Sequence, residues 1–129
     1  MSLEEGDYRP PPRHACDPPN EYAIELSDVD EPGEHRIFMR EVVYKRRLVD
    51  YSIEHQVRET PDGDWLPVFR IDTSHGSIHW HQLHRDGTER KAVLTVLGRF
   101  DGDILDGSWS SSYEEVLDKA EQHFRSWSR

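Results

Sequence analysis

The chain has 129 residues, enough for one domain around a single modest core and too few for two well-packed ones. Hydrophobic residues make up 34% and charged residues 33%, and the net charge is −10, which argues against duplex nucleic acid as a partner because a basic footprint is missing. A local basic patch keeps RNA open. No stretch reaches the roughly 20 apolar residues that span a bilayer, and the acidic N-terminus is unlike a signal peptide, so no membrane association is expected.

Residues 1–34 hold ten Asp or Glu against Arg9 and Arg13, and six of the eight prolines. Proline removes helix donors and the acidic composition offers little to bury, so this segment is expected to be an extended, partly disordered arm before a single domain over 35–129. The lone cysteine, Cys16, lies in the arm without a disulfide partner, which suggests a reducing, cytoplasmic setting.

Arg36–Tyr44 is rich in β-forming residues and reads as the first strand, with Lys45-Arg46-Arg47 as a turn or an exposed edge. In the next segment Val49, Tyr51, Ile53, His55 and Val57 alternate with Asp50, Ser52, Glu54, Gln56 and Arg58, the period of a strand buried on one side. His55 therefore reads as a hydrogen-bonded core histidine. Thr60-Pro61-Asp62-Gly63-Asp64 is a turn, leading to a strand over Trp65–Thr73. Ser74-His75-Gly76 is a second reversal, and a further strand follows from Ile78 to His84.

The apolar run Ala92–Leu97 fits a buried strand or a short helix, and the strand is preferred. Asp101-Gly102-Asp103 and Asp106-Gly107-Ser108 read as loops. A helix is expected to begin in Ser110-Ser111-Ser112, where Glu114 and Glu115 lie at capping-box spacing. Tyr113, Val116, Leu117, Ala120, Phe124 and Trp127 then form one apolar stripe. The fold class implied is α+β: an antiparallel meander of four to five strands with a C-terminal helix packed on one face.

Five of the eight histidines fall between His55 and His84, with His75, His79, His81 and His84 inside ten residues. Residues two apart on a strand project to the same side, so His79 and His81 form a half-site for a divalent transition metal of the zinc class, which Asp72 or His75 would complete. The same residues also suit metal-free acid–base work, and equally the polar face of a half-exposed strand. Arg70 shares a face with Asp72 and would pair with it or hold a phosphate. Gly76 suits a positive φ or a close approach of another chain segment. The candidate set is therefore Arg70, Asp72 and His75 as catalytic positions and His79 and His81 as metal ligands.

Pro67-Val68-Phe69-Arg70-Ile71-Asp72-Thr73-Ser74-His75-Gly76 followed by His79 resembles an uncharacterised bacterial domain-of-unknown-function family with an Asp-Thr-x-His-Gly-x-x-His core. The resemblance covers residues 37–127 and implies a small sheet-plus-helix protein, with no activity attached. The Arg-x-Asp strand end with spaced histidines is also similar to TumE-like toxins, a resemblance that would carry over Arg70, Asp72, His75, His79 and His81.

Two functions are compatible with these features. The first is a non-enzymatic interaction module, such as a toxin–antitoxin component, which binds a protein partner through the acidic arm or an edge strand. The second is a small histidine- or metal-dependent hydrolase or nuclease built on Asp72–His81. The absence of a nucleophile–base pair, a phosphate loop or a complete metal motif tips the sequence slightly toward the module.

Overall fold

The computed structural model describes residues 5–129, so Met1–Glu4 of the acidic segment lie outside it. A short 3-10 turn at Arg13–Ala15 precedes β1 (Asn20–Leu26), β2 (Glu34–Tyr44), β3 (Arg47–Arg58), β4 (Leu66–Ser74), β5 (Ser77–Leu83) and β6 (Glu89–Val96). Helices α1 (Gly102–Asp118) and α2 (Ala120–Ser128) complete the chain. The strands form one antiparallel sheet in sequence order, β1 to β6. The α+β class and the meander hold, with six strands in place of the expected four to five.

The additional strand, β1, comes from the segment expected to be an arm. It pairs along its whole length with β2, from Asn20↔Glu41 to Leu26↔His35. Tyr22 and Leu26 pack against the core, and the Tyr22 hydroxyl donates to Glu41 Oε2 at 2.9 Å. The acidic composition hid this strand because an edge strand needs only one ladder partner and a few apolar anchors. Upstream, residues 6–17 are tied across the end of the sheet: Gly6 N donates to His75 O (3.0 Å), Tyr8 N to Leu97 O (3.2 Å), the Tyr8 hydroxyl to Val49 O (2.8 Å) and Asp17 N to Val43 O (2.9 Å).

The β4–β5 connection is a two-residue reversal with His75 at φ 52° and Gly76 at φ 73°, both in the left-handed region that tight hairpins use. Gly76 is required twice over, since a Cβ there would also lie 2.2 Å from Gly6 O. Lys45 and Arg46, in the basic run read as a turn or an edge, make the β2–β3 turn with φ of 50° and 66°.

Val49, Tyr51, Ile53, His55 and Val57 are all buried, as the alternation of β3 dictates. The helices cover this face: the Tyr51 hydroxyl lies 2.7 Å from Ser108 Oγ and 2.9 Å from Ser112 Oγ on α1. Gln82 Nε2 on β5 donates to His123 O on α2 at 3.1 Å and to Val68 O on β4 at 3.1 Å. Phe69, Ile71, Ile78, Leu105, Val116, Phe124 and Trp127 fill the layer between sheet and helices.

The helix begins well before the expected serine cluster. Asp106, Gly107 and Ser108, read as a loop, lie inside α1, because Leu105 is fully buried and Ser108 meets Tyr51 across the layer. Those contacts offset the cost of about 1 kcal/mol for an internal glycine. The single expected helix is also divided at Lys119, yet Val116, Ala120, Phe124 and Trp127 still share the buried side. No helix among the described residues is long and apolar enough to cross a membrane.

Candidate metal centre on the open face of the sheet

Side chains alternate along β4 and β5, so the residues between the core positions point away from the helices. Register places Asp72 opposite His79 and Arg70 opposite His81. The open face at this point therefore carries Arg70, Asp72, His79 and His81 side by side, as one strand face allows.

Asp72, His79 and His81 each bring a ligand atom to within 4.8 Å of the others. His79 Nε2 is 2.8 Å from Asp72 Oδ1, and His81 Nε2 is 3.5 Å from Asp72 Oδ2. Ligands of one tetrahedral ion, each about 2.0–2.1 Å from it, stand about 3.4 Å apart, and the two observed separations bracket that value. His79 is 2% exposed and His81 7% exposed, so these polar atoms are largely removed from water.

The surroundings fix the orientation of the rings. His81 Nδ1 lies 3.1 Å from Glu89 Oε2 on β6, and a carboxylate there can only accept, so Nδ1 carries the proton. His81 Nε2, the other ring nitrogen, is the one turned toward Asp72. His81 Nε2 and Asp72 Oδ1 are both buried, and among the described residues their nearest polar neighbours are each other's side chains and His79 Nε2, 2.8 Å from Oδ1. Polar atoms so placed out of water need either a shared proton or a bound cation to satisfy them. His79 Nε2 also lies 3.0 Å from Ser74 Oγ, and its Nδ1 lies 3.4 Å from Ser77 Oγ.

Burial alone would raise the Asp72 carboxyl, but hydrogen bonding and charge from His79 and His81 outweigh it and hold the group well below the usual carboxylate range. Asp72 is therefore anionic near neutrality and suited to a cation. Arg70 Nε donates to Asp72 Oδ2 at 2.8 Å while its NH1 donates to Glu54 Oε1 at 3.0 Å. Pairing, the first of the two roles considered for Arg70, is the one its geometry displays.

Residues 18–128 match the family described as Domain of unknown function (DUF7718). The chain belongs to that family. The DUF7718 match begins ahead of β1 and runs through both helices, so the edge strand is part of the family unit, which starts earlier than the residue 37 expected from the motif. No curated protein and no solved structure matches the chain.

Among the candidate positions of this DUF7718 chain, His75 stands apart. It sits in the β4–β5 turn with its side chain 68% exposed, and its Nδ1 is 3.9 Å from Glu5 Oε1. A backbone with positive φ at the turn directs it away from the β5 histidine face. His84 is likewise occupied elsewhere, with Nδ1 3.0 Å from Ser126 O. Glu89, Glu54 and Ser74 were not singled out from the sequence, because their places beside the histidines and Arg70 follow from sheet register. Glu89 lies on β6 two residues from the Lys91 that pairs with His81.

The basic set Arg36, Arg40, Lys45, Arg46 and Arg47 is in part internally engaged. The Arg36 guanidinium lies 4.2 Å from the Trp65 ring centroid and its Nε donates to Gln56 Oε1 at 2.7 Å, while Arg47 pairs with Asp103. His55 is fully buried, 2.9 Å from His35 Nδ1 through its Nε2, as a core histidine should be.

Proposed function

We propose that this DUF7718 chain is a small metal-dependent protein in which Asp72, His79 and His81 hold one divalent transition ion of the zinc class, with hydrolytic chemistry at the remaining coordination position. The observation that carries this reading is the convergence of His79 Nε2, His81 Nε2 and the Asp72 carboxylate, all within 4.8 Å of one another and largely buried. Two imidazoles and one carboxylate are borderline donors suited to zinc and to iron(II). Three protein ligands leave a place for water, the pattern of catalytic sites, whereas closed structural sites use four. The Glu89 contact holds His81 in the tautomer a metal needs, and Arg70 steadies the second carboxylate oxygen.

The Asp72 side chain is 17% exposed, so the centre opens toward the face that the helices leave uncovered. A bound ion there would lower the pKa of its water toward neutrality and supply hydroxide for attack on an ester or phosphoester. The test is hydrolysis of a generic phosphodiester and carboxylester panel by metal-loaded protein. Activity lost in His79→Ala and His81→Ala and retained in His75→Ala supports the reading. Activity that persists in both strand variants would refute it.

A second reading is favoured by β1. Asn20, Glu21, Ala23, Ile24 and Glu25 are exposed on an edge strand whose outer backbone has no strand partner among the described residues, the feature through which a protein partner adds a strand. Binding of a partner that is abolished by a proline at Ala23, with the sheet intact, supports an interaction module of the toxin–antitoxin kind.

A further inference from the structure

On the opposite face from the histidines, between α1, α2 and strands β4 to β6, lies a cleft of ≈ 510 Å³. That volume lies within the range of small-molecule sites, roughly 300–1,000 Å³. It exists because the helices cover β3 and β4 more fully than β5 and β6, leaving Trp80 half-buried and Leu94 53% exposed. Its floor is aromatic. The His123 ring lies flat on Phe69, with centroids 3.6 Å apart and planes 4° apart, and the Trp80 ring is stacked 6.1 Å from Phe69 at 18°.

The three rings are stacked on one another, and the half-buried Trp80 is the member left to offer a face to another flat ring. The rim is polar: Arg90 from β6, Lys119 and Glu115 at the α1–α2 junction, and the Ser111 hydroxyl. Lys119 Nζ is 3.1 Å from Glu115 Oε1, whereas Arg90 has no ion-pair partner among the described residues. In a chain of net charge −10 this rim carries an excess positive charge, with Arg90 as the uncommitted cation.

His123 supplies a second, independent sign of a ligand. Gln82 Nε2 donates to its backbone carbonyl at 3.1 Å and Phe69 holds its ring, yet the ring Nδ1 is buried without a hydrogen-bond partner among the described residues. The residue is 5% exposed. Burial, with Lys119 nearby, lowers its pKa to about 4, so near neutrality the ring is uncharged and free to donate from one nitrogen and accept at the other.

We infer that this cleft binds a small flat aromatic anion, its ring stacked on Trp80 beside His123 and its negative group met by Arg90. The inference is independent of the metal centre, which lies on the other side of the same two strands. An aromatic carboxylate and a purine nucleotide share this chemistry, and two probes separate them: indole-3-acetate and adenosine monophosphate.

Each probe is titrated into the full-length protein while amide and indole shifts are followed by NMR, alongside Arg90→Glu and Ser111→Trp. Both substitutions are at exposed positions, and circular dichroism verifies that the variants fold. Saturable shifts centred on Trp80, Arg90 and His123, weakened about tenfold or more by Arg90→Glu and blocked by Ser111→Trp, bear the inference out. The probe that saturates identifies the source. No saturable shifts with either probe, shifts elsewhere in the protein, or binding indifferent to both substitutions would overturn it.

Discussion

Asp72 and His79 face each other across the β4–β5 ladder, with Asp72 Oδ1 2.8 Å from His79 Nε2. Register alone creates this pair, and the same register puts His81 one strand step away with its Nε2 3.5 Å from the other carboxylate oxygen. The carboxylate thus stands between two imidazoles on a face that no helix covers.

If this set is a metal centre, its outer contacts matter as well as its ligands. His81→Ala removes a ligand and should abolish stoichiometric zinc binding. Glu89→Gln keeps the shape but weakens the acceptor at His81 Nδ1, so zinc affinity should fall about 10–100-fold. His75→Ala should leave affinity unchanged. Competition titration against a chromophoric chelator measures all three.

Acid should unfold the protein early. Burial lowers the His55 pKa from 6.5 to about 3, with the charges of His35 and His123 adding to it, and burial lowers His123 to about 4. Both bind a proton more readily when unfolded, so their stabilising contribution is present above about 6.5 and is lost as pH falls from there toward those values. At about pH 5 the loss is roughly 2 kcal/mol for each histidine. Asp72, with its lowered pKa, adds to the loss at still lower pH, whereas Asp50, raised chiefly by burial against the opposing Thr73 hydrogen bond, acts in the other sense. Urea unfolding at about pH 7.5 and pH 5 should show a fall of several kcal/mol. An unchanged midpoint would contradict buried neutral imidazoles.

Gly76→Ala places a methyl 2.2 Å from Gly6 O at a residue with φ 73°. The left-handed strain costs about 1–2 kcal/mol, and displacing residues 6–8 adds the loss of the Gly6–His75 and Tyr8–Leu97 hydrogen bonds. A drop of more than 2 kcal/mol in urea denaturation is expected, with the β4–β5 turn and Tyr8 amides losing hydrogen-exchange protection together.

The central strands were legible because one-sided burial writes itself as alternation: Val49 to Val57 could face only one way. The strand β1 and the start of α1 were not, since Asn20–Leu26 are held by pairing with β2 and Leu105 by a pocket that only the folded sheet provides. The site divided in the same manner. His79 and His81 were visible from their spacing of two, and Asp72 from its place before the turn. The placement of His75 depends on the handedness of the turn, and that of Glu89 on the pairing of β6, neither of which local sequence encodes.

Removal of residues 1–27 tests whether β1 belongs to the fold. It strips the ladder from β2 and breaks the Tyr8 anchor to Val49, exposing an eleven-residue strand edge. The truncated protein should be less stable and prone to associate through β2, seen as a shift to larger species by light scattering. A monomer of full stability would show β1 to be dispensable.

Metal analysis of untagged protein, purified without chelator, tests the central claim most directly. The expected result is close to one equivalent of zinc or iron in the parent and none in Asp72→Asn or His81→Ala, with both variants folded. A parent that carries no metal and neither binds added zinc nor gains thermal stability from it would contradict the account.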